Sequence, residues 1–121
     1  MTKPILVVEN EPLIAMDVED MLRSAGYADV SHVVSVADAL RWLGARSPAV
    51  AILDLMVRDG ATTSLAQLLR KAGTPFLVYS GLAPSDVQRS AVFDDAIWLS
   101  KPCTQTELML AIEKTLGLAA R

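Results

Sequence analysis

The chain has 121 residues, 52% hydrophobic and 21% charged, with a formal net charge of −3 and a single cysteine. That length supports one domain with its own core and no disulfide or metal staple, and that hydrophobicity excludes an intrinsically disordered chain. The lone Cys103 excludes an intrachain disulfide or a cysteine-rich zinc site, and the scattered basic residues of an acidic chain argue against a nucleic-acid surface.

No apolar run approaches the roughly 18–20 residues of a membrane span; Ala49–Leu53, for example, is closed by Asp54. Met1-Thr2-Lys3-Pro4 and the four aliphatics after it are too short for a signal peptide's apolar region. The expectation is one cytoplasmic domain over residues 1–121, with no membrane insertion and no room for an output domain.

In chain order, Ile5–Val8 is an aliphatic run suited to a strand buried on both faces. From Pro12 the period becomes helical: Ile14, Val18, Met21, Leu22 and Ala25 form one stripe, Asp17, Glu19 and Asp20 a solvated face, and Gly26 the stop. A second strand falls at Val30–Val34, and Ser35 caps a helix through Leu43, with Asp38 in its first turn. Val50–Leu53 is the third strand, and Arg58-Asp59-Gly60 is turn chemistry. Leu65, Leu68, Leu69 and Ala72 mark a third helix, ended by Gly73-Thr74-Pro75.

Phe76–Tyr79 is the fourth strand, and Pro84–Val92 is the place for a short fourth helix. Ala96–Leu99 is the fifth strand. Thr104-Gln105-Thr106-Glu107 is a capping box opening a last helix, with Leu108, Ile112 and Leu116 inward and Gly117 at its stop. Strict alternation of five strands and five helices predicts a flavodoxin-like, doubly wound α/β fold with a five-stranded parallel sheet of order 2-1-3-4-5.

Ligands of such sheets bind at the carboxyl ends of the strands. There the first strand delivers Glu9-Asn10-Glu11, the third Asp54, the fourth Ser80, and the fifth Ser100 and Lys101-Pro102. Strand-end acids often merely cap a helix, and a single Lys-Pro or Ser-Gly means little. Two acids, a hydroxyl and an ammonium converging from neighbouring strands make a site, because each is costly to desolvate without a partner.

With these residues the chain resembles the receiver domain of two-component response regulators over essentially its whole length. The resemblance rests on Ile-Leu-Val-Val-Glu-Asn-Glu-Pro at 5–12, Ile-Leu-Asp-Leu at 52–55, Arg-Asp-Gly at 58–60, Tyr-Ser-Gly at 79–81 and Lys-Pro at 101–102. It implies that Asp54 is the phosphoacceptor and that Glu9, Asp54 and the Met56 backbone carbonyl hold Mg²⁺, with Asn10 a further candidate. It also implies that Ser80 bonds the phosphoryl group, that Lys101 pairs with it, and that the Lys101–Pro102 bond is cis. The implied partners are a histidine kinase or histidine phosphotransfer protein and a downstream protein target. Output runs through the face formed by the fourth helix, fifth strand and fifth helix, in a monomer or weak dimer that is a switch rather than an enzyme.

Three positions depart from the family pattern. Asn10 stands where an acid is usual, which predicts weaker Mg²⁺ binding. Trp98 stands where a Tyr or Phe switch residue is common, and serves either as a switch or as an aromatic cover of the fifth strand. Gly81 follows Ser80, freeing the next loop. His32 is expected to be structural and far from the site, Trp42 to pack at the edge of the second helix, and Cys103 to lie near the pocket without a redox role. The alternative is a pseudo-receiver that docks a partner without phosphorylation, favoured by Asn10 alone. A haloacid-dehalogenase-type phosphatase needs an acid where Met56 stands, and a flavodoxin needs a phosphate loop where Glu9-Asn10-Glu11 stands.

Overall fold

The computed structural model describes residues 3–86 and 90–119. Five parallel strands form the central sheet: β1 (Ile5–Val8), β2 (Val30–Val33), β3 (Val50–Leu53), β6 (Phe76–Ser80) and β7 (Ile97–Ser100). Between β3 and β6 lies a small antiparallel hairpin, β4 (Met56–Val57) and β5 (Gly60–Ala61). The sheet order is β2-β1-β3-β6-β7, which is 2-1-3-4-5 when only the parallel strands are numbered.

β1 and β3 are apolar throughout because the pleat sends alternate side chains to opposite faces, and helices cover both. Ile5, Val7, Val50, Ile52 and Leu77 pack on one face with Val18 and Leu22 of α1 (Pro12–Ser24) and Leu108 and Ile112 of α4 (Gln105–Ala119). Leu6, Val8, Ala51, Leu53 and Val78 pack on the other with Ala39 of α2 (Val36–Ala45) and Leu65 and Leu69 of α3 (Thr63–Lys71).

The end signals act locally as expected. Ser35 Oγ accepts the Asp38 N–H at 3.0 Å, and Thr104 and Glu107 exchange bonds of 2.9 and 3.1 Å as a capping box. Gly26 ends α1 at φ +101°, a conformation that a side chain would strain.

Other expectations change. The described residues contain four α-helices, not five: Pro84–Asp86 and Ala91–Phe93 are 3₁₀ turns, and residues 87–89 of the expected fourth helix lie outside the described ones. α4 passes Gly117 to Ala119, and its inward stripe is Leu108, Ala111, Ile112 and Thr115, leaving Leu116 36% exposed. Thr115 is tolerated inside because its hydroxyl donates to the Ala111 carbonyl at 2.7 Å. In α3 the inward residues are Leu65, Ala66 and Leu69, so Leu68 and Ala72 face outward, as does Ala25 after α1. The hairpin had no strand-length signal because its strands are two residues each.

Candidate functional site

Parallel pairing aligns the strand ends. Val8 lies opposite Leu53, Leu53 opposite Val78, and Ser80 opposite Ser100. Glu9, Asp54, Ser80 and Lys101 therefore leave the sheet along one edge, and the structure brings all four together. Asn10, Asp54, Met56, Ser80 and Lys101 line a cleft of about 510 Å³ there.

Lys101 Nζ is shared by two carboxylates, donating to Asp54 Oδ2 at 2.9 Å and forming a short contact with Glu9 Oε1. Glu9 is only 2% exposed, and its Oε2 accepts the Glu11 N–H at 3.1 Å. Burial pushes the Glu9 carboxyl above its usual range, opposed by the hydrogen bonds from Lys101 and Glu11. Burial would lower the Lys101 ammonium, but the bonds and charges of Glu9 and Asp54 outweigh it and hold its pKa up. The Lys101–Pro102 bond is cis, and the Lys101 N–H donates to the Ser80 carbonyl at 2.8 Å.

Asp54 continues the β3 ladder, its N–H donating to the Val8 carbonyl at 3.0 Å, while its Oδ1 accepts the Leu55 N–H at 2.7 Å. The hairpin then folds back over two residues, Arg58 and Asp59, to Gly60 at φ +123°. Asp59 reaches across to the start of α2, accepting the N–H of Val36 at 2.7 Å and of Ala37 at 3.0 Å, and these bonds lower its pKa. Met56 thereby sits on a short, cross-tied segment beside Asp54, its side chain outward at 59% exposure.

Ser80 is buried, and its Oγ accepts the Leu82 N–H at 3.1 Å. The Leu82 carbonyl in turn accepts the Trp98 indole N–H at 2.9 Å. The loop after Gly81 is thus tied at Leu82 to both residues. Trp98 is half-buried against the α2–α3 face of the core. Cys103 is half-buried beside Tyr79, and burial raises the pKa of its thiol.

His32 is not remote. Its Nε2–H donates to the Glu9 carbonyl at 2.5 Å, because β2 pairs with β1 and sets His32 opposite Val7. Thr62, also missed, is fully buried, and its hydroxyl donates to the Asp54 carbonyl at 2.6 Å. A Thr directly before a helical stripe signals an N-cap; nothing local signals that it turns to the strand end instead.

The donor set is oxygen-rich: two carboxylates, the Asn10 amide and the carbonyls of the hairpin. Among the described residues no group of three His, Cys, Asp or Glu side chains forms a metal cluster. Mg²⁺ is ordinarily held by one or two carboxylates and keeps several waters, so this set fits it, while zinc's preference for nitrogen and sulfur is unmet.

These features define a receiver, and the comparisons agree. The chain belongs to the response regulator receiver domain family, whose model matches residues 5–113. It is 30% identical over 112 residues to the transcriptional regulatory protein PdtaR of Mycobacterium tuberculosis, covering 90% of this chain and 54% of that protein. The chain thus spans about half the length of the curated relatives it matches. Among solved structures it resembles SdrG from Sphingomonas melonis Fr1, at 33% identity and TM-score 0.77 over 99% of this chain and 98% of that one. It also resembles a sensor protein from Polaromonas sp. JS666, at 28% identity and TM-score 0.84 over 97% and 98% of the two chains. The family is one of signalling switches in two-component systems. Among the described residues no helix is long and apolar enough to cross a membrane.

Proposed function

We propose that this receiver accepts a phosphoryl group on Asp54, from a histidine kinase or histidine phosphotransfer protein, and passes the signal on by changed protein binding. The observation that carries this reading is the Lys101 ammonium bridging Glu9 and Asp54 at the cleft. A carboxylate so placed is a nucleophile with a cation already beside it.

In the reaction, an Asp54 carboxylate oxygen bonds to phosphorus as the donor's bond to phosphorus breaks, leaving an acyl phosphate and the departing donor. Asp54 Oδ1 is engaged by the Leu55 N–H and Oδ2 by Lys101, so the carboxylate is oriented before the donor arrives. Glu9, Asp54, the Met56 carbonyl and Asn10 would hold Mg²⁺, whose charge offsets the repulsion between carboxylate and phosphoryl oxygens when bound. Lys101 then turns from Asp54 Oδ2 to a phosphoryl oxygen as a compact point charge. The Ser80 hydroxyl donates to another phosphoryl oxygen. Where Ser80 swings its Oγ toward that oxygen it gives up the Leu82 N–H, and Leu82 is bonded in turn to Trp98. The change at Asp54 therefore has a short backbone route to β7, toward the face where β7 and α4 present the output surface.

The test is the intact mass after incubation with acetyl phosphate, with and without Mg²⁺, and with Asp54→Asn as control. A single phosphoryl adduct that needs Mg²⁺ and is absent from Asp54→Asn is expected. A folded wild type that gains no adduct, under conditions that modify another receiver, overturns the reading in favour of phosphorylation-independent docking.

A further inference from the structure

Thr62 occupies the N-cap of α3, where a Thr hydroxyl ordinarily accepts an N–H from the helix's first turn, yet it makes no such bond. The residue is fully buried, and its Oγ1 donates instead to the Asp54 carbonyl at 2.6 Å, with the Leu55 carbonyl at 3.3 Å. Its own N–H donates to the Leu55 carbonyl at 3.0 Å.

The peptide joining Asp54 to Leu55 is consequently held at both ends. Its carbonyl is bound by Thr62, and its N–H is bound by Asp54 Oδ1 at 2.7 Å. A rotation of that peptide would swing the carboxylate away from Lys101 and shift the next carbonyls, which lead to Met56. A side chain without a donor would take this bond from the Asp54 carbonyl and leave the peptide held at its N–H alone.

We propose that Thr62 is a positioning residue for phosphoryl transfer, fixing through the peptide after Asp54 the aim of the phosphoacceptor carboxylate and the place of the Met56 carbonyl. This rests on the reading of Asp54 given above. It predicts that the hydroxyl, rather than the bulk of Thr62, controls the rate.

The experiment measures adduct formation from acetyl phosphate at saturating Mg²⁺ in the full chain, for wild type, Thr62→Val and Thr62→Ser, with urea midpoints for each. Thr62→Val keeps the shape and loses the donor; Thr62→Ser keeps the donor and loses a methyl. Thr62→Val is expected to lower the maximal rate about tenfold, with a smaller effect on the half-saturating acetyl phosphate concentration, as misaimed reacting groups do. Thr62→Ser is expected to recover most of that rate even if its urea midpoint is the lower of the two. A purely structural role would instead make rate follow midpoint. Should Thr62→Val not fold, Thr62→Ala is the second variant without a donor. A donor-free variant as fast as wild type overturns the proposal, as does a Thr62→Ser variant as slow as Thr62→Val. A wild type with no adduct overturns the Asp54 reading itself, and this proposal with it.

Discussion

Asn10 is the residue on which the strength of the site turns. Two carboxylates at the strand ends, Glu9 and Asp54, already share the Lys101 ammonium as a countercharge. An acid at position 10 would add a full charge a few ångströms from the proposed cation, worth on the order of 1–4 kcal/mol before repulsion among the acids is subtracted. Asn10→Asp is therefore expected to tighten Mg²⁺ binding about tenfold or more by calorimetric titration. An unchanged affinity would mean that position 10 does not face the ion. Because Glu9 is buried and its pKa is already raised, a second acid is also expected to push that pKa further up, so the gain should be smaller at acid pH, where Glu9 holds its proton.

At the scale of elements, the segment between β3 and α3 is held at both ends. Thr62 ties its base to Asp54, and Asp59 ties its tip to the N-terminus of α2. Two acceptors therefore serve α2, the Asp59 carboxylate at its first N–H groups and Ser35 Oγ at Asp38. Ser35→Ala is expected to cost about 1 kcal/mol in chemical denaturation, the usual loss for a capping hydroxyl. The same variant should leave the acetyl phosphate reaction unchanged, since Ser35 touches nothing at the cleft. A rate loss with Ser35→Ala would mean that α2 helps to place the hairpin.

For the whole molecule, the informative range is alkaline. Lys101 and Tyr79 both have folded pKa values above their ordinary values of 10.5 and 10.0. Tyr79 is raised by burial and by its contact with Cys103. The folded state therefore keeps protons that the unfolded state has lost, and stability falls as pH rises. Each contribution is fully present below the ordinary value and lost as pH climbs through the folded one. Urea midpoints should accordingly drop steeply above about pH 10. Lys101→Met and Tyr79→Phe are each expected to flatten that limb, and a limb unchanged in both variants would refute the assignment.

Hydrophobic pattern and end signals are local properties, and so the sequence by itself determined the five strands of the main sheet, both helix caps at Ser35 and Thr104, and the strand-end positions of Glu9, Asp54, Ser80 and Lys101, while the sheet order followed from the strict alternation of strands and helices. A strand buried on both faces must be apolar at every residue, which makes Ile5–Val8 and Val50–Leu53 legible without any partner. The finer choices on helix faces were less legible: Thr115 rather than Leu116 turns inward, tolerated there because its hydroxyl returns a bond to its own helix, and hydropathy alone does not record that. What only the tertiary structure decided is which polar atoms meet. His32 reaches the Glu9 carbonyl across 23 positions of sequence and Lys101 reaches Glu9 across 92, both through parallel register. Thr62 leaves its helix for Asp54 because the hairpin returns it to the end of β3, where the Asp54 carbonyl accepts its hydroxyl. Apolar burial is non-directional and can be summed along a chain, whereas a hydrogen bond needs a particular atom at a particular distance, and only the folded chain supplies both.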